Sequence, residues 1–252
     1  MTSTRIDAFL GGRVQVEQPV HGYRAGADAV MLAAACPALP GQSVLEPGCG
    51  VGTASLCLAV RVGDLQLTGI ERDANYAALA RANAIRNAAP LQVIEADLAN
   101  LPPELRAQSF DHVIMNPPFF PNGTLSPDAA RAGARHEETP LAAWLDTGLR
   151  RLRPGGTLTV IHLAQRLDQL LAGLSGRAGD ITILPITARA GRDAGRIILR
   201  ARKGARAPLR LLSPFIMHEG PAHLRDTENL SENAQAVLRQ AVALPLPDAD
   251  RG

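Results

Sequence analysis

An alternation of strand-like and helix-like segments runs through most of this 252-residue chain and constrains its fold more than any other feature. Short apolar runs such as residues 43–48 and 65–71 predict buried strands, and the stretches 53–62 and 73–87 that follow them predict helices. Strands that alternate with helices of this length form a mostly parallel sheet with helices on both faces. The chain is therefore predicted to be an α/β protein.

The end of this series breaks the pattern. The last two predicted strands, 180–187 and 195–203, are joined by only seven residues. A connection this short cannot contain a crossover helix, so we expect these two strands to pair antiparallel.

Three parts of one domain are predicted along the chain. Residues 1–40 contain a glycine-rich hairpin or arm and an apolar helix, and residues 41–204 contain the alternating series. Residues 205–252 form a C-terminal extension with a helix-like stretch at 231–243.

Composition excludes several classes of protein. No apolar run reaches about 18 residues, and the N-terminus lacks the charged-then-apolar pattern of a signal peptide. Cys36, Cys49 and Cys57 have no C-x-x-C spacing, which argues against a disulfide framework and a zinc site. A net charge of +2 does not by itself imply a nucleic-acid partner. We expect a cytoplasmic protein without a membrane or metal requirement, and the oligomeric state stays open.

A glycine turn follows the first strand of the series. Gly48, Gly50 and Gly52 form G-x-G-x-G, whereas the dinucleotide fingerprint is G-x-G-x-x-G and has its third glycine where this chain has Thr53. Glycines let the backbone turn sharply beside a helix N-terminus, so that a ligand can approach closely. The pattern favours a nucleoside ligand over a dinucleotide with its pyrophosphate.

Two carboxylates end the next two predicted strands. Glu71 lies about 20 residues after the glycine turn, where a carboxylate accepts hydrogen bonds from ribose hydroxyls in doubly wound folds. The alternative is a solvated acid paired with Arg72. Asp97 could accept from an adenine amino group, or it could simply cap a turn. Open α/β sheets bind ligands at the carboxyl ends of their strands, which favours the ligand roles.

The fourth strand ends in Asn116-Pro117-Pro118-Phe119. Prolines stop a strand and stiffen the backbone, but they do not explain the amide or the aromatic ring. The Asn116 side-chain oxygen and nearby carbonyls could accept both hydrogens of an –NH₂ group. Phe119 could stack on an extruded base. The stretch therefore predicts a clamp for a planar amine.

The motifs L-E-P-G-C-G-V-G-T-A, G-I-E-R-D, E-A-D-L and N-P-P-F-F cover about residues 44–120. In this order and spacing they resemble the class I S-adenosylmethionine (SAM)-dependent methyltransferases of the N-P-P-[YF] type, which methylate amines. The flanking stretches 7–35, 134–145 and 206–220 resemble the bacterial tRNA1(Val) adenine-N6-methyltransferases.

The resemblance implies SAM as cofactor and a Rossmann-like sheet of seven strands in the order 3-2-1-4-5-7-6, with the last strand antiparallel. Residues 1–40 would cap the cofactor, and Tyr23, Arg24, Gly26 and Asp28 match the family segment that holds its carboxylate and amine. Glu46 and the Gly48–Gly52 turn would hold the methionine portion, while Glu71 and Asp97 would bind the ribose and adenine. The target base would be bound by Asn116, Pro117 and Phe119.

The implied activity is methylation of an adenine N6 in tRNA, next to the anticodon. Alternatives with the same chemistry are an rRNA guanine-N2 enzyme, in which Phe119 is also common, and a protein glutamine-N5 enzyme. Outside this chemistry, the alternatives are a non-catalytic RNA-binding module and a nucleotide-dependent dehydrogenase, and the missing third glycine of the fingerprint argues against the latter. The loop 121–138 and the basic stretch 200–210 could contact RNA, or they could be ordinary solvated segments.

Overall fold

The computed structural model describes residues 3–118, 139–220 and 229–247. Its strands are β1 (Thr4–Phe9), β2 (Val14–Pro19), β3 (Ser43–Pro47), β4 (Gln66–Glu71), β5 (Leu91–Glu95), β6 (Phe110–Met115), β7 (Leu152–Leu163), β8 (Ala178–Thr187), β9 (Ala194–Lys203), β10 (Arg210–Leu211) and β11 (Phe215–Ile216). Its α-helices are α1 (Ala27–Ala35), α2 (Thr53–Val62), α3 (Ala74–Arg86), α4 (Pro103–Ala107), α5 (Leu141–Arg151), α6 (Leu167–Leu174) and α7 (Glu232–Gln240). The predicted loop 121–138 and Phe119 lie outside the described residues.

The central sheet has the order β5-β4-β3-β6-β7-β9-β8. β9 pairs antiparallel with both β7 and β8, and the other neighbouring pairs in this series are parallel. Counted from β3, this is the order 3-2-1-4-5-7-6, so the predicted α/β fold and strand order are confirmed. The two-residue strands β10 and β11 pair with the outer side of β8 and were not predicted, because so short a strand has no periodicity to detect.

Helices cover both faces of the sheet. Side chains of successive strand residues point to opposite faces, and Val44 belongs to one buried cluster while Leu45 belongs to the other. The first cluster contains residues of α1, α2, α3 and α7, and the second contains residues of α4, α5 and α6. This arrangement leaves the carboxyl edge of the parallel strands open for a site.

The N-terminal hairpin of β1 and β2 is a separate two-stranded sheet that packs against α3. The Asn83 side chain accepts a hydrogen bond from Glu17 N at 2.8 Å and donates to Glu17 O at 3.0 Å. The Asn87 side chain bonds both backbone groups of Gln15 in the same way, at 2.9 and 2.8 Å. Residues four apart share one helix face, so these two amides satisfy the free edge of β2 as a neighbouring strand would.

One helix ends earlier than the sequence predicts. The predicted helix 231–243 ends at Gln240, since Ala241 has a left-handed φ of 59°. Leu244 then donates a backbone hydrogen bond to Ala34 O at 2.9 Å, which ties this segment to the end of α1. In the part of the chain that the structure describes, no helix is long and apolar enough to cross a membrane.

Candidate active site

The carboxyl ends of four adjacent strands bring the predicted site residues to one edge of the sheet. The glycine turn follows β3, Glu71 ends β4, and Asn116 follows β6. Glu71 is directly opposite Glu95 in the β4–β5 register, and Asp97 lies two residues beyond Glu95. The structure therefore brings Glu71, Asp97 and Asn116 together at the edge predicted from the sequence.

The glycines of the turn are required by its backbone. Gly48, Gly50 and Gly52 have φ values of 65°, 54° and 87°, in the left-handed region that side-chain-bearing residues rarely adopt. At Gly48 a Cβ atom would also lie only 2.4 Å from Cη2 of Trp144 on α5. Trp144 is buried and packs directly on the glycine turn.

Glu46 is a buried carboxylate on β3, beneath the turn. It accepts hydrogen bonds from Ser55 N at 3.0 Å and from the Ser55 hydroxyl. Burial raises the pKa of Glu46 to about 7, with a further contribution from the charge of Glu71, even though the bonds from Ser55 act in the opposite direction. A buried acid in this state is suited to receive a cationic group such as a ligand ammonium.

Glu71 connects the glycine turn to α3. One carboxylate oxygen accepts from Gly50 N and the other from Asp73 N, both at 2.9 Å. Among the described residues Glu71 makes no ion pair with Arg72, which was the alternative considered for it. Each carboxylate oxygen can accept more than one hydrogen bond, so ribose hydroxyls could still be bound.

Asp97 is exposed and caps the short 3₁₀ helix Leu98–Asn100, accepting a hydrogen bond from Ala99 N at 2.8 Å. This is the capping role that the sequence left open beside adenine binding. A capping carboxylate keeps its other oxygen, so both roles are compatible, and adenine binding by Asp97 stays a prediction.

A polar network fixes the segment 23–28 before α1. The fully buried Gln18 accepts from Ala25 N at 2.8 Å and donates to Asp7 at 2.9 Å. Arg24 donates to the same Asp7 oxygen at 2.6 Å. Burial acts to raise the pKa of Asp7, but hydrogen bonds from Arg24, Arg5 and Gln18 outweigh it and hold this pKa below its usual value. Arg24 is thus engaged with Asp7, and Gln18 is a positioning residue that sequence analysis missed.

The other members of this segment lie at the start of α1. Gly26 is the N-cap of the helix, and a Cβ atom there would meet nothing within 4 Å. Asp28 lies in the first turn and accepts from Arg196 Nε at 3.1 Å. The backbone conformation explains why Gly48 is a glycine, but it does not explain the residue types at positions 26 and 28. Their contacts with a cofactor stay predictions.

Tyr23 links this segment to Asn116. Asn116 Nδ2 donates to the Tyr23 hydroxyl at 3.4 Å, and the Tyr76 hydroxyl donates to Tyr23 O at 3.1 Å. The Tyr23 side chain is 56% exposed overall, but desolvation of its hydroxyl, with the nearby carboxylates of Glu46 and Asp28, raises the pKa of Tyr23 to about 12. The phenol is therefore neutral at physiological pH and accepts the hydrogen bond from Asn116 Nδ2.

Asn116 Oδ1 is buried and, among the residues that the structure describes, has no hydrogen-bond partner. Buried polar atoms are nearly always paired in folded proteins, so a buried acceptor without a partner at an open sheet edge indicates a site for a donor. Pro117 is buried beside it and Pro118 is exposed. Stacking by Phe119 falls outside the described residues and stays a prediction.

His162 supports the turn that follows Asn116. It is buried at the end of β7, next to β6, and its Nδ1 accepts from Leu163 N at 2.8 Å. The backbone of Pro118 lies close enough to this imidazole to act on its pKa, which places His162 beside the turn that follows Asn116. Burial, with Arg166 and Arg196, lowers the pKa of His162 to about 4, which keeps the ring neutral. Its place at the end of the strand beside N-P-P was the signal that could have identified it.

Metal and thiol chemistry have no support in the described ranges. No group of three or more His, Cys, Asp or Glu side chains there could hold a metal ion. Cys36, Cys49 and Cys57 are free and buried, and burial raises the pKa of Cys36 to about 11 and that of Cys57 to about 12. These cysteines are therefore protonated core residues.

Comparison with known proteins agrees with this geometry. Residues 26–178 match the model of the methyltransferase small domain family. A tRNA1(Val) (adenine(37)-N6)-methyltransferase of Porphyromonas gingivalis is 35% identical over 173 residues, which are 65% of this chain and 68% of that protein. An enzyme of the same name from Aeromonas hydrophila is 30% identical over 210 residues, 79% of this chain and 85% of that protein.

A solved structure is similar over almost its whole length. The Agrobacterium tumefaciens protein, described as a predicted O-methyltransferase, is 28% identical with a TM-score of 0.71, covering 86% of this chain and 98% of its own. Together these comparisons confirm the family, the enzyme class and the SAM cofactor predicted from the motifs, while the roles of individual residues stay predictions. The chain belongs to the methyltransferase small domain family and, within it, to that of the tRNA1(Val) (adenine(37)-N6)-methyltransferases, and it is a class I SAM-dependent methyltransferase.

Proposed function

We propose that this enzyme transfers a methyl group from SAM to the exocyclic N6 of an adenine next to the anticodon of tRNA, in the cytoplasm. The names of its relatives support the substrate. The observation that carries the proposal is the buried Oδ1 of Asn116, at the end of the strand beside the glycine turn, which accepts no hydrogen bond from any residue in the described ranges.

SAM supplies an activated methyl group, so this chain has to bind and orient the two reactants. Asn116 Oδ1 and a neighbouring carbonyl accept the two hydrogens of the target amine and direct its lone pair outward. Tyr23 holds Asn116 Nδ2, which keeps Oδ1 turned toward the substrate. A hydroxyl has only one hydrogen for two acceptors, so the arrangement favours an amine over the O-methylation named for the Agrobacterium protein.

On the cofactor side, the raised pKa of Glu46 and its burial support a contact with the SAM ammonium. The positive φ values of the glycine turn support close approach of the methionine portion. Glu71 binds the ribose and Asp97 borders the adenine, while Tyr23, Arg24, Gly26 and Asp28 form the cap. In this scheme residues 1–40 are the cap, 41–204 the catalytic core and 205–252 an extension of the same domain.

Nucleoside mass spectrometry of undermodified RNA tests the proposal. Total tRNA and rRNA are incubated separately with SAM and either the wild type or Asn116→Ala, and we expect N6-methyladenosine in tRNA with the wild type alone. N2-methylguanosine in rRNA would retain the role of Asn116 but refute the substrate. SAM binding with no methylated RNA would instead favour a non-catalytic module or a protein substrate.

A further inference from the structure

The basic stretch 200–210 does not lie beside Asn116. β9 runs antiparallel to its neighbours, so Arg196 at its start is opposite Leu163 at the carboxyl edge, whereas Arg202 is opposite Thr157. At the far end Lys203 is opposite Ala178, the first residue of β8. The six residues of β6 separate the two edges by roughly 20 Å, at about 3.3 Å per residue.

Cations from other segments converge on the same edge. Lys203 Nζ donates to Leu152 O at 2.6 Å and Arg202 Nε to Gly155 O at 3.2 Å, which attach the end of β9 to the start of β7. Gly204 N donates to Arg177 O at 2.9 Å, which adds the turn before β8. The resulting amino-edge cluster consists of Arg150, Arg151, Arg153, Arg177, Arg202, Lys203 and Arg206.

The cluster concentrates positive charge that the whole chain does not have. Two carboxylates, Asp111 and Asp146, pair with its members, so seven cations and two anions leave five net positive charges, against +2 for the entire chain. Burial together with Arg151 and Arg177 lowers the pKa of Lys203, which reflects this crowding of like charge. Such an excess creates a local positive potential, which attracts anionic partners to this edge.

The outer arginines of the cluster are accessible. The side chains of Arg150 and Arg153 are 69% and 56% exposed, and Arg206 lies exposed in the loop after β9. Guanidinium groups are planar forks that match phosphate oxygens in a bidentate way. Cationic side chains of this kind make the phosphate contacts that orient a protein on nucleic acid, so the chemistry of the cluster fits the phosphate backbone.

We propose that the amino-edge cluster is a second RNA-binding surface, which holds backbone phosphates of the tRNA body while the target base is bound about 20 Å away at Asn116. This inference rests on the proposed tRNA substrate. The separation suits a folded RNA, since a double-stranded RNA-binding domain alone spans about 16 base pairs. The cluster contributes affinity and orientation, and it leaves the chemical step to the carboxyl edge.

The test compares two triple variants with the same change in charge. Arg150→Gln/Arg153→Gln/Arg206→Gln removes accessible cations of the cluster, and Arg13→Gln/Arg81→Gln/Arg239→Gln removes three exposed arginines elsewhere. Binding of fluorescent tRNA is measured from 50 to 200 mM salt. We expect the cluster variant to bind about tenfold more weakly, with a salt slope smaller by about 2 to 3, because each lost phosphate contact removes roughly one counterion.

Kinetics separate this surface from the active site. The KM for tRNA should rise about tenfold in the cluster variant while kcat and the Kd for SAM stay unchanged, and thermal melting checks that both triple variants fold. Arg206→Glu alone, in a loop, provides a second and milder test with the same expected direction. An unchanged salt slope, or equal losses in both triple variants, would overturn the inference.

Two further outcomes are distinguishable. If the cluster variant loses binding to phosphatidylglycerol vesicles but not to tRNA, the surface belongs to a membrane and the inference fails. If the wild type methylates no tRNA but its tRNA binding still depends on these arginines, the proposed function fails and the phosphate surface stands.

Discussion

The two sides of the carboxyl edge differ in how completely their polar groups are engaged. On the side of β3, β4 and β5, the carboxylates of Glu46, Glu71 and Asp97 each accept hydrogen bonds from the chain itself. On the side of β6, the Asn116 oxygen is buried with no partner in the part of the chain that the structure describes. The cofactor side is therefore preorganised, whereas the amide side is completed only by what binds there.

This difference has an energetic meaning. A buried acceptor without a partner costs about 1–3 kcal/mol, which a bound donor returns. Binding energy is thus reserved for the reacting amine, while the cofactor side is already held by its own hydrogen bonds. Four variants test whether the two sides are as separate as this comparison implies.

The largest effect is expected for Asn116→Ala. Loss of a preorganised hydrogen-bond partner at the reacting nitrogen should lower single-turnover methyl transfer by about 10²-fold or more. Since the β3–β5 side is unchanged, the Kd for SAM, measured by calorimetry, should stay within about threefold. Near-wild-type turnover would remove Asn116 from the mechanism.

Glu46→Gln should change how stability depends on pH. The folded-state pKa of Glu46 is about 7 and its ordinary value is 4.5, so the wild type loses stability as pH rises through this interval. The variant has no such loss and should gain roughly 3 kcal/mol of unfolding free energy relative to wild type between pH 4.5 and 8. His112 and His162, with pKa values of about 4, destabilise both proteins equally at low pH.

Urea unfolding of the cofactor-free proteins at pH 5 and pH 8 measures this difference. The same variant should bind SAM more weakly at pH 8, because a neutral amide does not pair with an ammonium. A stability difference that is independent of pH would show that Glu46 is ionised throughout.

Glu71→Ala should weaken SAM binding by about tenfold or more, since hydrogen bonds to a charged acceptor contribute about 1.5–3 kcal/mol. Turnover at saturating SAM should change little. Glu95→Ala is the matched control, because Glu95 is exposed and lies directly opposite Glu71 on β5. Equal losses in the two variants would mean that general charge, and not the ribose contact, decides affinity.

The smallest effect is expected for Tyr23→Phe, because Tyr23 belongs to the proposed cofactor cap but contacts Asn116 on the amide side. Loss of the hydroxyl that holds Asn116 Nδ2 should lower kcat about three- to tenfold, consistent with about 1 kcal/mol for a neutral hydrogen bond. Tyr76→Phe loses a bond to the backbone of Tyr23 but none to Asn116, so its kcat should be closer to wild type. A change only in the KM for SAM would confine Tyr23 to the cofactor side.

Local pattern in the sequence was enough to predict the sheet and the edge at which the site lies, and the family resemblance of the motifs implied the strand order. Strand and helix periodicity is local, and the carboxyl ends of parallel strands must share one edge, so the glycine turn, Glu71 and Asn116 could be brought together without coordinates. The two short strands β10 and β11 and the helix α4 were missed, because two to five residues carry too little pattern.

The side chains that support the glycine turn and Asn116 could be identified only from the tertiary structure. The Tyr23–Asn116 hydrogen bond joins residues 93 positions apart. Trp144 on α5 packs on Gly48, and the Gln18 side chain forms hydrogen bonds with Asp7 and Ala25. The direction of β9 likewise decided that Arg202 and Lys203 face away from the active site. Such contacts depend on how distant segments pack. The short-range spacing of residue types predicts strands, helices and turns, but it does not predict these contacts.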